Sequence, residues 1–367
     1  MTPDPGLASW LQLSLTPGLG ASTVRGLLKQ FGLPEAMLDR PPAELARAMG
    51  QPAFDALRSA RVKEAVERAL QWASQEDHFV VTLADDTYPR PLLEISDPPP
   101  VLYAHGRIDL LRQPAGAIVG SRNASAQGAR NAEQFALTLG EAGLTIVSGL
   151  ALGIDAAAHR GGLAGSASTI AVLGTGIDLV YPARNAELAA EIAARGLLLS
   201  EFPLGTAAIA HNFPRRNRLI SGLARGCLVV EAALESGSLI TARCAADQGR
   251  EVFAIPGSIH SPLSKGCHAL IKSGAKLVES AEDVLAELSG FRASGFANAA
   301  TNATSAEPDT GVLAVMGHDP VDVDSLCARA GLSAEQVAAE LLRLELDGRV
   351  TALPGGLYQR LEKAHRG

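Results

Sequence analysis

The chain has 367 residues and carries 39 acidic against 32 basic side chains, a formal net charge of -7 at neutral pH. With 47% hydrophobic and 19% charged residues, it has the composition of folded domains, and its length predicts two or three of them. An acidic chain is not a general coat for nucleic acid, so a polyanion site would have to be a local basic patch.

Several other classes are disfavoured at once. No apolar run approaches the roughly 18 residues of a membrane span, and the opening MTPDPG lacks the basic and apolar regions of a signal peptide, so we expect a cytoplasmic protein. The four cysteines form no CxxC pair, and the eight histidines form no HExxH motif. Neither a disulfide framework nor a structural metal is therefore expected.

Residues 1–78 have a helical pattern. The stretch LSLTPGLGASTVRGLLKQFG contains a Pro-Gly-x-Gly turn followed by an amphipathic helix with Val24, Leu27 and Leu28 on one side. It resembles a helix-hairpin-helix element, whose glycine turn and helix N-terminus contact a DNA phosphate. An ordinary corner in a small helical bundle fits equally well.

Residues 79–290 alternate between strand and helix patterns. Seven short apolar runs (GAIVG, LTIVSG, TIAVLG, LLLSEF, CLVVEA, EVFAIPG and KLVES) are separated by helical stretches such as ARNAEQFALTLGEAG and NAELAAEIAARG. This order predicts the α/β class, with a parallel sheet covered on both faces in a doubly wound, Rossmann-like arrangement. Ligands of such sheets bind beyond the carboxyl ends of the strands.

The end of the chain differs in character. Residues 291–308 are rich in Ala, Ser, Thr and Asn and predict a flexible linker, and residues 309–367 predict a winged-helix domain with a Pro-Gly-Gly hairpin. From residue 307 onward ten acidic residues face six basic ones, and the expected recognition helix holds four acids and one arginine. Such a helix repels the major groove, so we expect a protein-contact or regulatory role.

Polar residues follow the first predicted strand of the sheet. The sequence GSRNASAQG offers Gly120 for close approach to a phosphate, hydroxyls from Ser121 and Ser125, and the guanidinium of Arg122. The stretch is not GxGxxG and no acidic residue suits a ribose, so we predict no dinucleotide cofactor. A glycine-rich turn that merely closes a βα unit is the structural alternative.

The next strand leads into SGLALGIDAAAHRGGL. There, Asp155 and His159 lie four residues apart on one helix face, as in half of a catalytic relay. No nucleophile follows from the spacing, and Asp155 also suits a helix start, so we interpret both residues as structural. Farther on, VVEAALESGSLITA places Glu231 at a strand end and a small polar turn, Gly237-Ser238, at the same edge.

Two further strand ends supply arginines and aromatic rings. GTGIDLVYPARN contains Tyr181 and Arg184, and HNFPRRNRLISG contains Phe213 and three arginines. Loops at one edge of a parallel sheet are neighbours, so five arginines are predicted on one rim. Arginines along a backbone and rings under unpaired bases are typical of single-strand binding sites. The candidate DNA-binding residues are Gly120, Ser121, Arg122, Ser125, Arg184, Phe213, Arg215, Arg216 and Arg218.

These motifs resemble the DNA-processing protein A family, also called DprA or Smf. The match runs through VGSRNASAQG, SGLALGIDAAAHRGGL, GTGIDLVYPARN, HNFPRRNRLISGL, VVEAALESGSLITARCAADQGREVFAIPG and GCHALIKSGA, after the lead-in YPRPLLEISDPPPVLYAHG. The resemblance implies a recombination mediator of natural transformation that shields incoming single-stranded DNA, helps to displace single-strand binding protein and loads RecA recombinase, usually as a homodimer. It also implies a phosphate pocket at Gly120, Ser121 and Arg122, with further DNA contacts at Arg184, Phe213, Arg215, Arg216 and Arg218.

Two other classes stay open. The SGSLIT turn after Glu231 faintly resembles the phosphoribohydrolases that cleave a base from a nucleoside monophosphate, although their PGGxGTxxE motif is absent. In the other class the chain is an interaction scaffold, and some of the arginines pair with Glu201 or Glu231 to stabilise the fold.

Overall fold

The computed structural model describes residues 5–288 and 311–361. The predicted linker, 291–308, therefore lies outside the described residues. None of the described helices is both long and apolar enough to cross a membrane.

A single large sheet forms the centre of the molecule. In spatial order its strands run β1-β2-β6-β5-β4-β3-β7-β8-β9. Their bounds are β1 (His78–Thr82), β2 (Val101–Gly106), β3 (Ala115–Val119), β4 (Thr145–Ser148), β5 (Thr169–Val172), β6 (Leu197–Ser200), β7 (Gly226–Val229), β8 (Glu251–Ala254) and β9 (Lys276–Leu277).

The seven strands predicted from the sequence all form, as β3 to β9, and they pair in parallel. The prediction of a parallel sheet is incomplete at one edge, where β2 pairs antiparallel with β6 and β1 pairs antiparallel with β2. These two strands need no crossover helix, so the alternation of strands and helices gave no signal for them.

Helices cover both faces of the sheet because the strand side chains alternate between them. In β3, Ile118 packs with α8 and α9 on one face, while Ala117 and Val119 pack with α11 and α12 on the other. The helices of this part of the chain are α1 (Pro5–Ser14), α2 (Ala21–Phe31), α3 (Pro34–Leu38), α4 (Pro42–Met49), α5 (Gln51–Leu57), α6 (Ala60–Ala73), α7 (Arg90–Leu93), α8 (Ala126–Glu141), α9 (Ile154–Ala164), α10 (Ala186–Arg195), α11 (Asn212–Leu223), α12 (Ser238–Asp247), α13 (Lys265–Lys272) and α14 (Ala281–Glu287).

The strand order fixes where a ligand can enter. From β3 the chain builds outward through β4, β5 and β6, and it then returns to the other side of β3 for β7, β8 and β9. The direction of winding therefore reverses between β3 and β7. Loops leave in opposite directions at such a point, which opens a crevice beyond the carboxyl ends of the two strands.

The N-terminal helices pack both on each other and on the sheet. The predicted amphipathic helix is confirmed as α2, whose Val24 and Leu27 are buried in a separate core. Helices α1 and α6 instead share a cluster with the sheet, in which Trp10 and Leu11 join Val101 of β2.

The winged-helix prediction is confirmed for residues 311–361. A helix–turn–helix with Ser333 at the start of its second helix precedes a hairpin through Gly355 and Gly356. Arg130 of α8 donates to the carbonyl of Gly348 at 3.0 Å, which joins this part to the sheet region. Its elements are α15 (Val312–Met316), β10 (Val321–Asp322), α16 (Val323–Ala330), α17 (Ala334–Leu346), β11 (Val350–Leu353) and β12 (Leu357–Arg360).

Candidate nucleic-acid interface

A cavity of about 750 Å³, which we call the main cavity, opens at the reversal point between β3 and β7. Its walls are the turns that follow these two strands, together with one side of α11 and the start of α12. The side chains and backbone that line it include Gly120, Ser121, Arg122, Asn123, Asp155, Tyr181, Phe213, Arg216, Asn217, Glu235, Ser236, Gly237, Ser238 and Thr241.

The turn after β3 is held tightly by backbone contacts. The N–H of Ser121 donates to the carbonyl of Glu231 at 2.7 Å, and the Ser121 carbonyl accepts the N–H of Ile154 at 3.1 Å. A Cβ at Gly120 would lie 2.6 Å from Cγ1 of Ile154, so only glycine fits there. The turn therefore presents Arg122 to solvent from a fixed base.

A guanidinium group and two aromatic rings lie together on the exposed side of the main cavity. Arg122 lies over the ring of Phe213, with its Cζ 5.9 Å from the ring centroid, and it makes no ion pair with any described residue. The Phe213 and Tyr181 ring centroids are 5.5 Å apart and tilted by 43°. Tyr181 is 49% exposed, so a flat ligand can reach its ring.

Arg216 belongs to a buried layer beneath this surface. Only 4% of the residue is exposed, and its Nη1 donates to the carbonyls of Gly149 and Val172 at the ends of β4 and β5. Burial lowers the pKa of Arg216 to about 10, an effect that the nearby Asp155 opposes and that Arg122 increases. Arg216 is thus protonated at neutral pH and is committed mainly to the fold.

Asp155 and His159 complete the buried layer. The Asp155 carboxylate accepts the N–H groups of Gly149 and Ala151 at 3.1 and 3.3 Å, and burial raises its pKa, although Arg216 opposes the rise. His159 Nδ1 lies 2.8 Å from the Thr169 hydroxyl, and its Nε2 accepts the N–H of Leu150 at 3.2 Å.

Burial lowers the pKa of His159 to about 3, which keeps the ring neutral. Leu150, whose N–H it accepts, has a positive φ of 58°. All these contacts hold the turn after β4, in agreement with the structural interpretation of both residues.

The arginine stretch forms a helix, α11, whereas the sequence analysis treated it as part of a loop rim. Five of its residues line the main cavity: Pro214 in the first turn, and Phe213, Arg216, Asn217 and Ile220 at helical spacing. Arg215 and Arg218 lie on another side, where both guanidinium groups donate to Glu201 at 3.0 and 2.6 Å. The single rim of five arginines is therefore wrong, because one helix cannot aim all its side chains in one direction.

The Glu201 side continues into the N-terminal helices. The Glu201 side chain is 2% exposed, and Arg218 also approaches Asp97 at 3.8 Å. Asp97 in turn pairs with Arg25 of α2 at 2.8 Å. These residues, which we call the Glu201 cluster, lock α11 and α2 onto the sheet region, as the alternative of structural arginines anticipated.

Two other predicted residues also lie outside the lining of the main cavity. The Ser125 hydroxyl caps α8 and donates to Glu231 at 2.5 Å, so Glu231 holds this turn, and it pairs with none of the arginines that the structure describes. Arg184 is exposed on a short 3-10 helix, Ala183–Asn185. Their contacts with DNA stay predictions.

The sequence analysis missed Asn123, Asn217 and Ser236 as lining residues. Asn217 lies four residues after Phe213, a helical spacing that was hidden because the stretch was not interpreted as a helix. Ser236 directly precedes the predicted Gly237-Ser238 turn, which does line the main cavity. Its hydroxyl lies 2.7 Å from that of Ser238.

The site combines a positive charge that can bind a phosphate with aromatic faces on which a base can stack. Arg122 offers an unpaired guanidinium, and Phe213 and Tyr181 offer ring surfaces beside it. The acids Asp155 and Glu235 also line the main cavity, so its positive charge is local to the Arg122 side. Among the described residues, no group of three or more His, Cys, Asp or Glu side chains is placed to hold a metal ion.

Comparison with known proteins agrees with the resemblance. The family model for DNA recombination-mediator protein A matches residues 79–289, and the DprA winged helix domain model matches residues 296–356. Protein Smf of Escherichia coli is 44% identical over 310 residues, which is 82% of each chain.

Two solved structures are similar as well. DNA processing protein A from Streptococcus pneumoniae is 40% identical with a TM-score of 0.68, covering 76% of this chain and 96% of its own. The Helicobacter pylori protein, whose structure addresses its single-stranded DNA binding mode, is 31% identical with a TM-score of 0.51, covering 57% of this chain and 96% of its own.

Proposed function

Since the chain belongs to the DNA recombination-mediator protein A family, we propose that it binds single-stranded DNA in the main cavity. The observation that carries this proposal is the unpaired Arg122 guanidinium beside the Phe213 and Tyr181 rings at the reversal point of the sheet. A guanidinium binds a phosphate regardless of sequence, and rings stack on any unpaired base.

The preference for single strands follows from the same geometry. In a duplex the bases are stacked on each other, so their faces are not available to Phe213 and Tyr181. A single strand can turn a base onto these rings while Arg122 contacts the neighbouring phosphate. The related Helicobacter pylori protein also binds single-stranded DNA.

We further propose the role implied by the family: the protein shields incoming strands during transformation, helps to displace single-strand binding protein, and loads RecA as a homodimer. Binding that depends on few charges and on stacking is suited to a mediator, because the strand must later be released. The acidic α17, with Glu335, Glu340 and Glu345, suits a contact with a protein better than one with DNA.

The proposed role is binding without catalysis. Three groups that a hydrolytic reaction could use are held by the fold: Glu231 by Ser125, Asp155 by two backbone N–H groups, and His159 by Leu150 and Thr169. Glu235, the other acid of the main cavity lining, is exposed. Release of free base from nucleoside monophosphates by the purified protein would instead support the phosphoribohydrolase alternative.

Fluorescence anisotropy with labelled single-stranded and duplex oligonucleotides, across a salt series, tests the proposal. We expect tighter binding of single strands and, for Arg122→Ala, a salt slope smaller by about 0.7, the value for one phosphate contact. Arg112→Ala is the matched control, since Arg112 is exposed just before β3, at the amino ends of the parallel strands and away from the main cavity.

Two outcomes would contradict the proposal. One is an Arg122→Ala variant that binds like Arg112→Ala, and the other is equal binding of duplex and single strand. If single strands bind as expected, RecA assembly on strands coated with single-strand binding protein is the assay for the mediator role.

A further inference from the structure

A second cavity, of about 340 Å³, lies between α6 and the loop that follows β6. We call it the α6 cleft. Its lining includes Arg61 and Arg68 of α6, Tyr103 of β2, and the loop residues Gly205 and Thr206. None of these residues is among those predicted to bind DNA.

The two arginines line the cleft because of their helical spacing. Seven residues apart, they lie on one side of α6 about 10 Å from each other along its axis. The buried Val62 and Ala69, next to them in sequence, fix that side of the helix against the molecule. Lys63, also on α6, is exposed but does not line the cleft.

Both guanidinium groups are without a fixed partner. Arg61 and Arg68 are exposed, and neither makes a hydrogen bond or an ion pair with a described residue through its side chain. This distinguishes them from Arg215 and Arg218, which both form ion pairs with Glu201. The α6 cleft therefore presents two positive charges to whatever enters it.

Two polar groups near the α6 cleft, the Tyr103 hydroxyl and the Asp178 carboxylate, differ in their hydrogen bonding. The Tyr103 hydroxyl is buried and finds no hydrogen-bond partner in the described chain. Burial raises the pKa of Tyr103, as does Asp178, so the hydroxyl keeps its proton and needs an acceptor. The negative charge of Asp178 is engaged by the N–H of Gly205, at 2.9 and 3.0 Å from its two oxygens.

The α6 cleft and the main cavity are neighbours along one loop. Thr206 lines the cleft and Ala208 lines the main cavity. Two positions along a chain span at most about 7 Å, so the two linings meet within one nucleotide step of each other. A strand that leaves the main cavity across this loop enters the α6 cleft.

We propose that the α6 cleft is a second contact site for the phosphodiester backbone of the single strand that occupies the main cavity, with Arg61 and Arg68 as its phosphate ligands. This inference rests on the proposed function. It assigns to the N-terminal helices a DNA contact through α6, whereas Arg25, which follows the glycine turn on α2, is bound to Asp97.

Anisotropy with two lengths of single strand separates this site from the main cavity. A strand of about 2 nucleotides, which places one base on the rings and one phosphate at Arg122, occupies the main cavity alone, while one of about 16 nucleotides reaches both sites. For the longer strand we expect Arg61→Ala and Arg68→Ala each to reduce the salt slope by about 0.7. At 0.15 M salt that corresponds to roughly fourfold weaker binding for each and roughly fourteenfold for both.

For the shorter strand the same variants should bind like the wild type, whereas Arg122→Ala should weaken both lengths. Lys63→Ala is the matched control, because it removes one charge from another side of the same helix. Tyr103→Phe removes only the unpartnered hydroxyl, so it should fold normally and should weaken the longer strand alone if that hydroxyl donates to a phosphate.

The outcomes distinguish the two proposals. If the arginine variants match Lys63→Ala on the longer strand, the α6 cleft is not a DNA site, while the main cavity stands. If the wild type binds neither length, both proposals fail. Normal binding by Tyr103→Phe together with a loss in the arginine variants would retain the site but remove the hydroxyl from it.

Discussion

The main cavity has two layers that use similar residues for opposite purposes. In the buried layer, Arg216, Asp155 and His159 bind backbone groups at the ends of β4 and β5. In the exposed layer, Arg122 lies over the Phe213 ring, which also contacts Tyr181, and all three side chains line the main cavity. The difference between Arg216 and Arg122 is not one of chemistry, because both are guanidinium groups on the same cavity.

The two layers differ in whether the fold already supplies partners for the charged side chain. Arg216 already has carbonyl acceptors and the nearby Asp155 carboxylate, so its removal should damage the fold. Within the described part of the chain Arg122 has no ion-pair partner and lies over the Phe213 ring, so its removal should leave the fold intact and weaken binding. Each of the following changes tests that division.

Arg216→Met should have the largest effect, and it should be on stability. The change leaves the carbonyls of Gly149 and Val172 without their donor and Asp155 without its nearby positive charge. A buried polar group left unsatisfied costs about 1–3 kcal/mol, so we expect a loss of at least that size. Urea denaturation followed by circular dichroism measures the loss. Arg122→Met is the control and should change the free energy of unfolding by less than about 0.5 kcal/mol; a similar loss in both variants would abolish the distinction.

Acid should weaken the buried layer through His159. The pKa of His159 is about 3 in the folded protein against 6.5 for an unperturbed histidine, so the unfolded chain takes up its proton first as pH falls. Stability from this residue is complete above pH 6.5 and decreases toward pH 3, by about 2 kcal/mol at pH 5.

Urea denaturation of the wild type and of His159→Gln, above pH 6.5 and again at pH 5, isolates the contribution of His159 to the free energy of unfolding. Glutamine can still hydrogen-bond to Leu150 and Thr169 but does not titrate. The free energy of unfolding of this variant should therefore fall by about 2 kcal/mol less than that of the wild type. Parallel curves would show that His159 is not the titrating group.

Phe213→Ala should affect binding more than stability. Loss of a stacking ring should weaken single-strand affinity by about 1 kcal/mol, the lower end of stacking values, because the Tyr181 ring remains. Anisotropy gives the affinity, and Phe213→Tyr, which keeps the ring, should bind like the wild type. An unchanged affinity for Phe213→Ala would remove stacking from the exposed layer.

Arg215→Ala should have the smallest effect of all. This arginine is 49% exposed and pairs with Glu201, which keeps Arg218 as a partner. Both stability and DNA affinity should change by less than about 0.5 kcal/mol. A large loss of affinity would mean that DNA reaches the Glu201 cluster and that the exposed layer extends beyond the main cavity.

The sequence predicted the parallel strands of the sheet and the winged helix, but not the antiparallel strands β1 and β2 or the direction of side chains. Continuous apolar runs identified β3 to β9, and the glycines and polar turns identified the edge at which the main cavity lies. The spacing of Phe213, Arg216 and Asn217 would also have separated Arg216 from Arg215, had the stretch been interpreted as a helix. The charged residues and Pro214 of this stretch argued against a helix, although proline is tolerated in the first turn of a helix.

Partners distant in sequence could be proposed but not chosen between, since Glu201 and Glu231 were both candidate partners for the arginines and it is Glu201 that pairs with Arg215 and Arg218. Arg218 and Glu201 are 17 residues apart, and Ser125 and Glu231 are 106 residues apart. Which acid neutralises which base depends on how the loops pack, and no local pattern contains that information. The α6 cleft was hidden for the same reason, since its walls come from α6, β2 and the loop after β6.

The contact between the N-terminal helices and the sheet bears on how the protein can be divided. The segment that matches the family model starts at residue 79, yet Trp10 and Leu11 cover Val101 and Tyr103 within it. A fragment beginning at residue 79 would expose this apolar surface to water and would tend to aggregate. Weak DNA binding by such a fragment would therefore report poor solubility as much as the loss of a contact, and single substitutions in the full chain are the sounder way to assign roles to the N-terminal helices.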